Sequence, residues 1–301
     1  MNKDAYPMPK NINYSYGCMS YLSNMYKYYM NVIGQKIVFD FTYTKIINNE
    51  MLAVLGIIFT KLKSRRNQVL LRGLSIKLRK LFIDHNFIHN QIPSENTSNY
   101  ISYNTFNADN KDEFREYLFY EMSSIENYEV EKFLVTHIME IFLNIRVHAR
   151  NTINKSRFGN KEVFSSGYYN MEKNTLIISI CNNGNTFAEN ILKKSKIEFL
   201  KESEYIKWAL EKCNSTTSNR PGGAGLAMVK NLLSCYNGEL TICSGKGYYS
   251  ISYDENNIKT EVKNDLQIGL PLTIVLLKIP TDKINEVIID EEEEFAIEEL
   301  L

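Results

Sequence analysis

Hydrophobic and polar positions change period several times along the chain. Residues 36–43 are a short run of β-branched and aromatic residues that predicts a buried strand. After the polar break Asn48-Asn49, residues 50–63 set Leu52, Leu55, Ile58, Phe59 and Leu62 on one face of a helix. Residues 68–73 predict a second strand, and Ser75 caps a helix carrying Ile76, Leu78, Leu81 and Phe82. Strand, helix, strand and helix joined by short connections predict a parallel sheet with right-handed crossovers. Residues 94–110, rich in Asn, Ser and Thr, predict a linker. Beyond it, residues 112–122 and 128–151 carry apolar positions at helical period, and 162–170 and 174–181 predict antiparallel strands. Residues 188–200 and 203–213 predict helices, while 238–244 and 272–279 predict two strands that complete a sheet.

The most pointed local pattern lies between those last elements. Gly222, Gly223 and Gly225 run without a break into Leu226, Val229, Leu232 and Leu233 at helical spacing, a flexible loop entering a helix amino end. Such a junction binds anions, because exposed N–H groups point outward, glycine admits a phosphate to the backbone, and the helix dipole favours negative charge. It can equally be a turn before a core helix. In the long helix of residues 128–151, Glu140, Asn144 and His148 follow at i, i+4 and i+8 and share one face. Their oxygens suit a hard cation and an oriented water; the alternative is the polar side of an amphipathic helix. The apolar run ending at Cys181 passes into Asn182-Asn183-Gly184-Asn185, a turn signal.

Composition narrows this little. At 301 residues the chain has room for two domains, and 44% hydrophobic with 23% charged residues is ordinary for a globular protein. Thirty-five bases balance 35 acids, but seven acids fall in the last twelve residues, leaving 35 bases against 28 acids, or +7, on the remainder. That tail reads as a solvated end, with docking on a partner or on the basic body as the alternative. No stripe of bases with stacking aromatics points to nucleic acid. The tyrosine-rich first thirty residues lack the apolar core of a signal peptide, and the longest apolar run, 51–59, is too short to span a bilayer. Five scattered cysteines without a CxxC spacing imply a reducing, cytoplasmic setting.

Four motifs in order, "EIFLNIRVH", "ISICNNGN", "RPGGAGLAMVKNLL" and "GLPLTIVLLKIP", resemble the GHKL ATP-binding domain of histidine kinases, anti-sigma-factor kinases, type II topoisomerases and mismatch-repair ATPases, over residues 110–281. The stretch "EYIKWALEKCNSTTSNRPGGAGL" looks like bacterial members of that class. The resemblance implies ATP and magnesium as cofactors, with Asn144 coordinating magnesium and Glu140 as the base for a water or an acceptor hydroxyl. It implies that His148, Gly222, Gly223, Gly225 and Leu226 lie at the phosphates, that Ser215, Thr216 and Thr217 belong to a lid near Trp208, and that Asn182, Gly184 and Thr273 lie at the adenine. Asn182 stands where the family has an Asp that accepts from the adenine amino group, and Thr186 replaces a second glycine. That puts about 1–2 kcal/mol of adenine affinity at risk and leaves loss of purine selectivity or a degenerate site open.

The spacing of "IVFDFTYTKIINNEMLAVLG" and "NQVLLRGLSIKLRKLF" resembles the STAS domain of anti-sigma-factor antagonists, over residues 10–90. There a serine at a helix amino end is phosphorylated; here the matching loop holds no hydroxyl, and Glu50 is at or beside the acceptor position. The expected organisation is α/β (α+β): a STAS-like domain at 1–93, a linker at 94–110, a GHKL domain with a mixed sheet and helices on one face at 111–289, and an acidic tail at 290–301. The function implied is a cytoplasmic ATP- and magnesium-binding signalling protein whose STAS-like part docks a protein partner, acting as an ATPase or Ser/Thr kinase. The alternative is a nucleotide sensor or scaffold without turnover. A second copy of the chain is a partner the resemblance allows.

Overall fold

A computed structural model describes residues 5–88, 99–146, 162–211 and 225–284. The chain has an α+β fold. Its larger sheet has five strands: β6 (Tyr100–Phe106), β7 (Val163–Asn170), β8 (Thr175–Asn182), β9 (Glu239–Tyr253) and β10 (Lys259–Pro280), in the order β6-β7-β8-β10-β9. The pairing was expected to be mixed, but every adjacent pair is antiparallel, because β7–β8 and β9–β10 are sequential hairpins. Residues 100–106, expected within a linker, form the edge strand β6. Its Asn, Ser and Thr content hides the fact that Ile101, Tyr103 and Phe106 are buried once it pairs with β7.

Alternation along the strands sorts side chains onto two faces. Leu176, Ile178 and Ile180 of β8, Leu240 and Ile242 of β9, and Val275, Leu277 and Ile279 of β10 face a helical layer. That layer contains α4 (Lys111–Glu121), α5 (Tyr128–Asn144) and α8 (Gly225–Cys235). Phe164, Cys181, Cys243, Leu272 and Ile274 face the other way, into a core shared with residues 5–88.

That N-terminal unit has a three-stranded parallel sheet in the order β1-β3-β5, made from β1 (Tyr6–Pro7), β3 (Lys36–Asp40) and β5 (Gln68–Arg72). A parallel pair of β2 (Asn11–Ile12) and β4 (Ile46–Ile47) adjoins it. Its helices are α1 (Tyr16–Tyr29), α2 (Met51–Lys63) and α3 (Ile76–Asp84). Ser75 caps α3 as expected, its hydroxyl accepting from Leu78 N at 3.3 Å. α2 is apolar all round, and nine consecutive residues from Met51 to Phe59 are buried, because it lies between its own sheet and the larger one. Of the early tyrosines, Tyr14, Tyr26 and Tyr29 are core, whereas Tyr28 is 66% exposed.

The amino end of α2 ties the two parts together, and that of α7 (Glu202–Ala209) is held within the larger part. Glu50 gives α2 no side-chain cap; instead Ser166 of β7 accepts from Ala53 N at 2.8 Å, and Ser179 of β8 donates to Glu50 O at 2.6 Å. α7 likewise has no cap of its own, since Lys201 supplies none. The Asp265 carboxylate of β10 accepts from Glu202 N at 2.8 Å and Ser203 N at 2.9 Å. Asp265→Ala is therefore expected to cost about 1–2 kcal/mol, the ordinary loss for a cap. Amide exchange should quicken first in α7, and unchanged exchange there would refute the assignment.

Candidate functional site

α5 begins at Asn127, whose side chain accepts from Glu129 N and Val130 N, and buries Leu134, Val135, Ile138, Ile141 and Phe142. Glu140 and Asn144 occupy its partly exposed face at the carboxyl end. Asn144 Nδ2 donates to the backbone oxygen of Glu140 at 2.7 Å. With its nitrogen spent on the helix, the side chain has its carbonyl oxygen left to offer, the atom a hard cation takes.

α8 comes close at this point. A β-carbon on Gly225 would collide with Glu140 Oε2 and stand 3.2 Å from Asn144 Nδ2. Only glycine lets the start of α8 approach the carboxylate so closely. Glu140, Asn144, Gly225 and Leu226, which sequence alone distributes over 87 positions, thus come together at one helix amino end. Among the described residues no group of three or more His, Cys, Asp or Glu side chains is placed to hold a metal. A cation held chiefly by phosphates and water, with one amide oxygen from the protein, suits magnesium, which retains several waters.

The third group forms the floor. Asn182 of β8 pairs across the sheet with Thr273 of β10, which pairs with Ser244 of β9. By alternation all three face the helical layer. α8 is eleven residues long, roughly 16 Å. It returns through Gly238 into β9, which climbs from Glu239 to Ser244 over a similar distance, roughly 17 Å. The polar row and the start of α8 therefore share one end of the sheet. Thr273 Oγ1 and Ser244 Oγ are hydrogen-bonded at 2.7 Å, and Ser244 Oγ accepts from Phe187 N at 3.1 Å. Asn182 is 1% exposed, and its Nδ2 has no hydrogen-bond partner. Gly184 is in the turn after β8.

Thr186 is the N-cap of α6 (Phe187–Ser195): its hydroxyl accepts from Glu189 N at 3.2 Å while its N–H donates to Glu189 Oε2 at 2.7 Å. A capping role accounts for Thr186 without recourse to a ligand. His148, Ser215, Thr216, Thr217, Gly222, Gly223 and the tail 290–301 lie outside the described residues. The cavities at Phe59, Leu71, Phe87 and Tyr103 (about 520 Å³) and at Ile125, Asn127, Tyr169 and Thr281 (about 270 Å³) are both elsewhere. No helix of the described residues is long and apolar enough to cross a membrane.

No protein-family model and no curated protein matches the chain. Among solved structures it is similar to the ATPase region of Saccharomyces cerevisiae topoisomerase II, with 15% identity and a TM-score of 0.24. That similarity covers 37% of this chain and 30% of the other. Its overlap with a minority of both chains assigns no activity to this one.

The contact at Gly225 carries its own prediction. In Gly225→Ala the flexible end of Glu140 must swing aside, and at the first residue of α8 the better helix former gains less than about 1 kcal/mol, the value for a helix interior. Thermal unfolding should show stability close to wild type, and a marked fall would show that the Glu140 side chain cannot move aside.

Proposed function

We propose that this chain binds ATP with magnesium at the junction of α5, α8 and the Asn182–Thr273–Ser244 row, and that it is a nucleotide-controlled regulatory protein. The observation that carries the reading is the approach of Gly225, at a helix amino end, to Glu140 and Asn144. In its support, the amino end of α8 offers N–H groups and a favourable dipole to phosphate. Asn144 presents an amide oxygen to a cation, and the buried amide of Asn182 lies at the same end of the sheet. Magnesium, when bound with ATP, neutralises phosphate charge. Glu140 acts as the base that takes a proton from a water or from a protein hydroxyl.

α2, the helix whose amino end would carry the phosphoacceptor, has that end buried against Ser166 and Ser179, and Glu50 itself is 3% exposed. Docking of a protein partner therefore falls to the outward side of the unit, around α3. The unit lies directly behind the nucleotide floor: Cys181, Ile274 and Cys243 face it, one residue from Asn182, Thr273 and Ser244. Nucleotide binding reaches the partner surface through these shared strands.

The test is a titration with Mg·ATP read by Trp208 fluorescence and by calorimetry, on wild type and Asn144→Ala. Saturable binding weakened by about tenfold or more in the variant is expected, a loss of about 1.4 kcal/mol or more. Silence in both readouts overturns the nucleotide reading. A sensor without turnover is the second reading, favoured by Asn182 in place of a carboxylate; it predicts tight binding with no phosphate release.

A further inference from the structure

Among the three polar residues on the sheet floor, hydrogen-bonding capacity is unevenly spent. Thr273 and Ser244 hold each other, and Ser244 also receives Phe187 N. Asn182, almost wholly buried, leaves Nδ2 without a partner. A buried donor left unmatched is costly, so a group that satisfies it on binding is favoured. The amide also carries a carbonyl oxygen, and a half-turn about its terminal bond exchanges the two.

We infer that the floor accepts 6-oxopurine nucleoside triphosphates as well as the 6-amino one. The edge of adenine offers a donor at the 6-amino group beside an acceptor at N1. The edge of hypoxanthine offers the reverse, an acceptor at O6 beside a donor at N1–H. An amide matches either edge with two hydrogen bonds, in one orientation or the other. A carboxylate, which only accepts, pairs with the one donor on either edge, the 6-amino group or N1–H, and leaves the acceptor beside it, N1 or O6, unmatched. Discrimination by a site comes chiefly from polar groups that the wrong ligand leaves unpaired. Asn182 leaves nothing unpaired with either base, so the site discriminates weakly at position 6.

The inference rests on the nucleotide reading above, and calorimetry with two probes separates their failures. Mg·ATP and Mg·ITP share the sugar, the phosphates and the rest of the base, and differ at position 6 and in the proton on N1. In wild type the two affinities are expected to agree within about threefold, and Asn182→Asp should weaken both by about tenfold or more. A wild-type preference for ATP beyond about tenfold, or affinities for both probes unchanged in Asn182→Asp, overturns the inference while leaving the nucleotide site standing. If neither probe binds wild type, the nucleotide reading itself is overturned. The wild-type ratio decides the question even if the Asp variant fails to fold.

Discussion

Replacing Glu140 by glutamine is expected to lower phosphate release, or transfer to a protein hydroxyl, by about 10²–10⁴-fold, the range supplied by a positioned base. Gln keeps the shape and hydrogen-bonding reach of Glu, and the hydrogen bond from Asn144 goes to the backbone oxygen of residue 140, not to its carboxylate. The cation-binding orientation of Asn144 should survive, and Mg·ATP affinity should stay within about threefold of wild type. The pairing of these two outcomes matters. Loss of both binding and turnover would make the Glu140 carboxylate part of the binding site, and equal turnover in wild type and variant would remove it from the chemistry. Single-turnover measurement with saturating nucleotide separates the cases, because it reads the chemical step without the contribution of affinity.

The parts of this site that could be read from sequence are those whose information is local. Glu140 and Asn144 share a face because a helix repeats every 3.6 residues, and Gly225 precedes an amphipathic run, so each half of the α5–α8 contact was visible on its own. Their contact was not visible. It depends on α8 crossing α5 at the one residue without a β-carbon, which only the packing of two helices on a common sheet determines. Asn182 was singled out as a departure from a motif, but its orphaned Nδ2 follows from the cross-strand register that pairs Thr273 with Ser244. Thr186 was read as a lost glycine, and the capping box with Glu189 gives it a purpose in the helix instead.

The same division holds for the fold. The β7–β8 hairpin and helices with strong periodicity were legible, whereas β9 and β10 run well past the predicted 238–244 and 272–279 to form one long hairpin. The edge strand β6 was not legible, since Ser102, Asn104 and Thr105 interrupt its apolar residues and its burial depends on partners some sixty residues away. The amino ends of α2 and α7 look uncapped in sequence because their caps, Ser166 and Asp265, come from distant strands. Of these, the contacts of α2 with Ser166 and Ser179 join the N-terminal unit to the larger sheet.

His85 marks that attachment and should give the chain a marked acid sensitivity. It ends α3, its Nδ1 lies 3.3 Å from Ile101 O, its backbone oxygen accepts from Tyr103 N at 2.8 Å, and its ring lies 4.5 Å from that of Tyr100. It therefore holds β6 to the N-terminal unit. Burial pushes the imidazole down from 6.5 to about 4, because the charged form is poorly solvated there. The folded chain thus keeps His85 neutral. The associated stability is complete above pH 6.5 and is lost as pH falls towards 4, for a total of about 3 kcal/mol. Glu50 works in the opposite direction: burial raises its pKa, so its cost grows as pH rises above the ordinary carboxylate range. The His85 contribution must therefore be read as a difference. Thermal unfolding of wild type and His85→Phe, which retains a ring beside Tyr100 but cannot titrate, should show their difference move in the variant's favour as pH falls from 6.5 to 4. A shift of about five degrees is expected for a loss of this size in a chain of 301 residues. A difference that stays constant across that window would show that His85 is not held neutral by the fold, and that any acid sensitivity arises elsewhere.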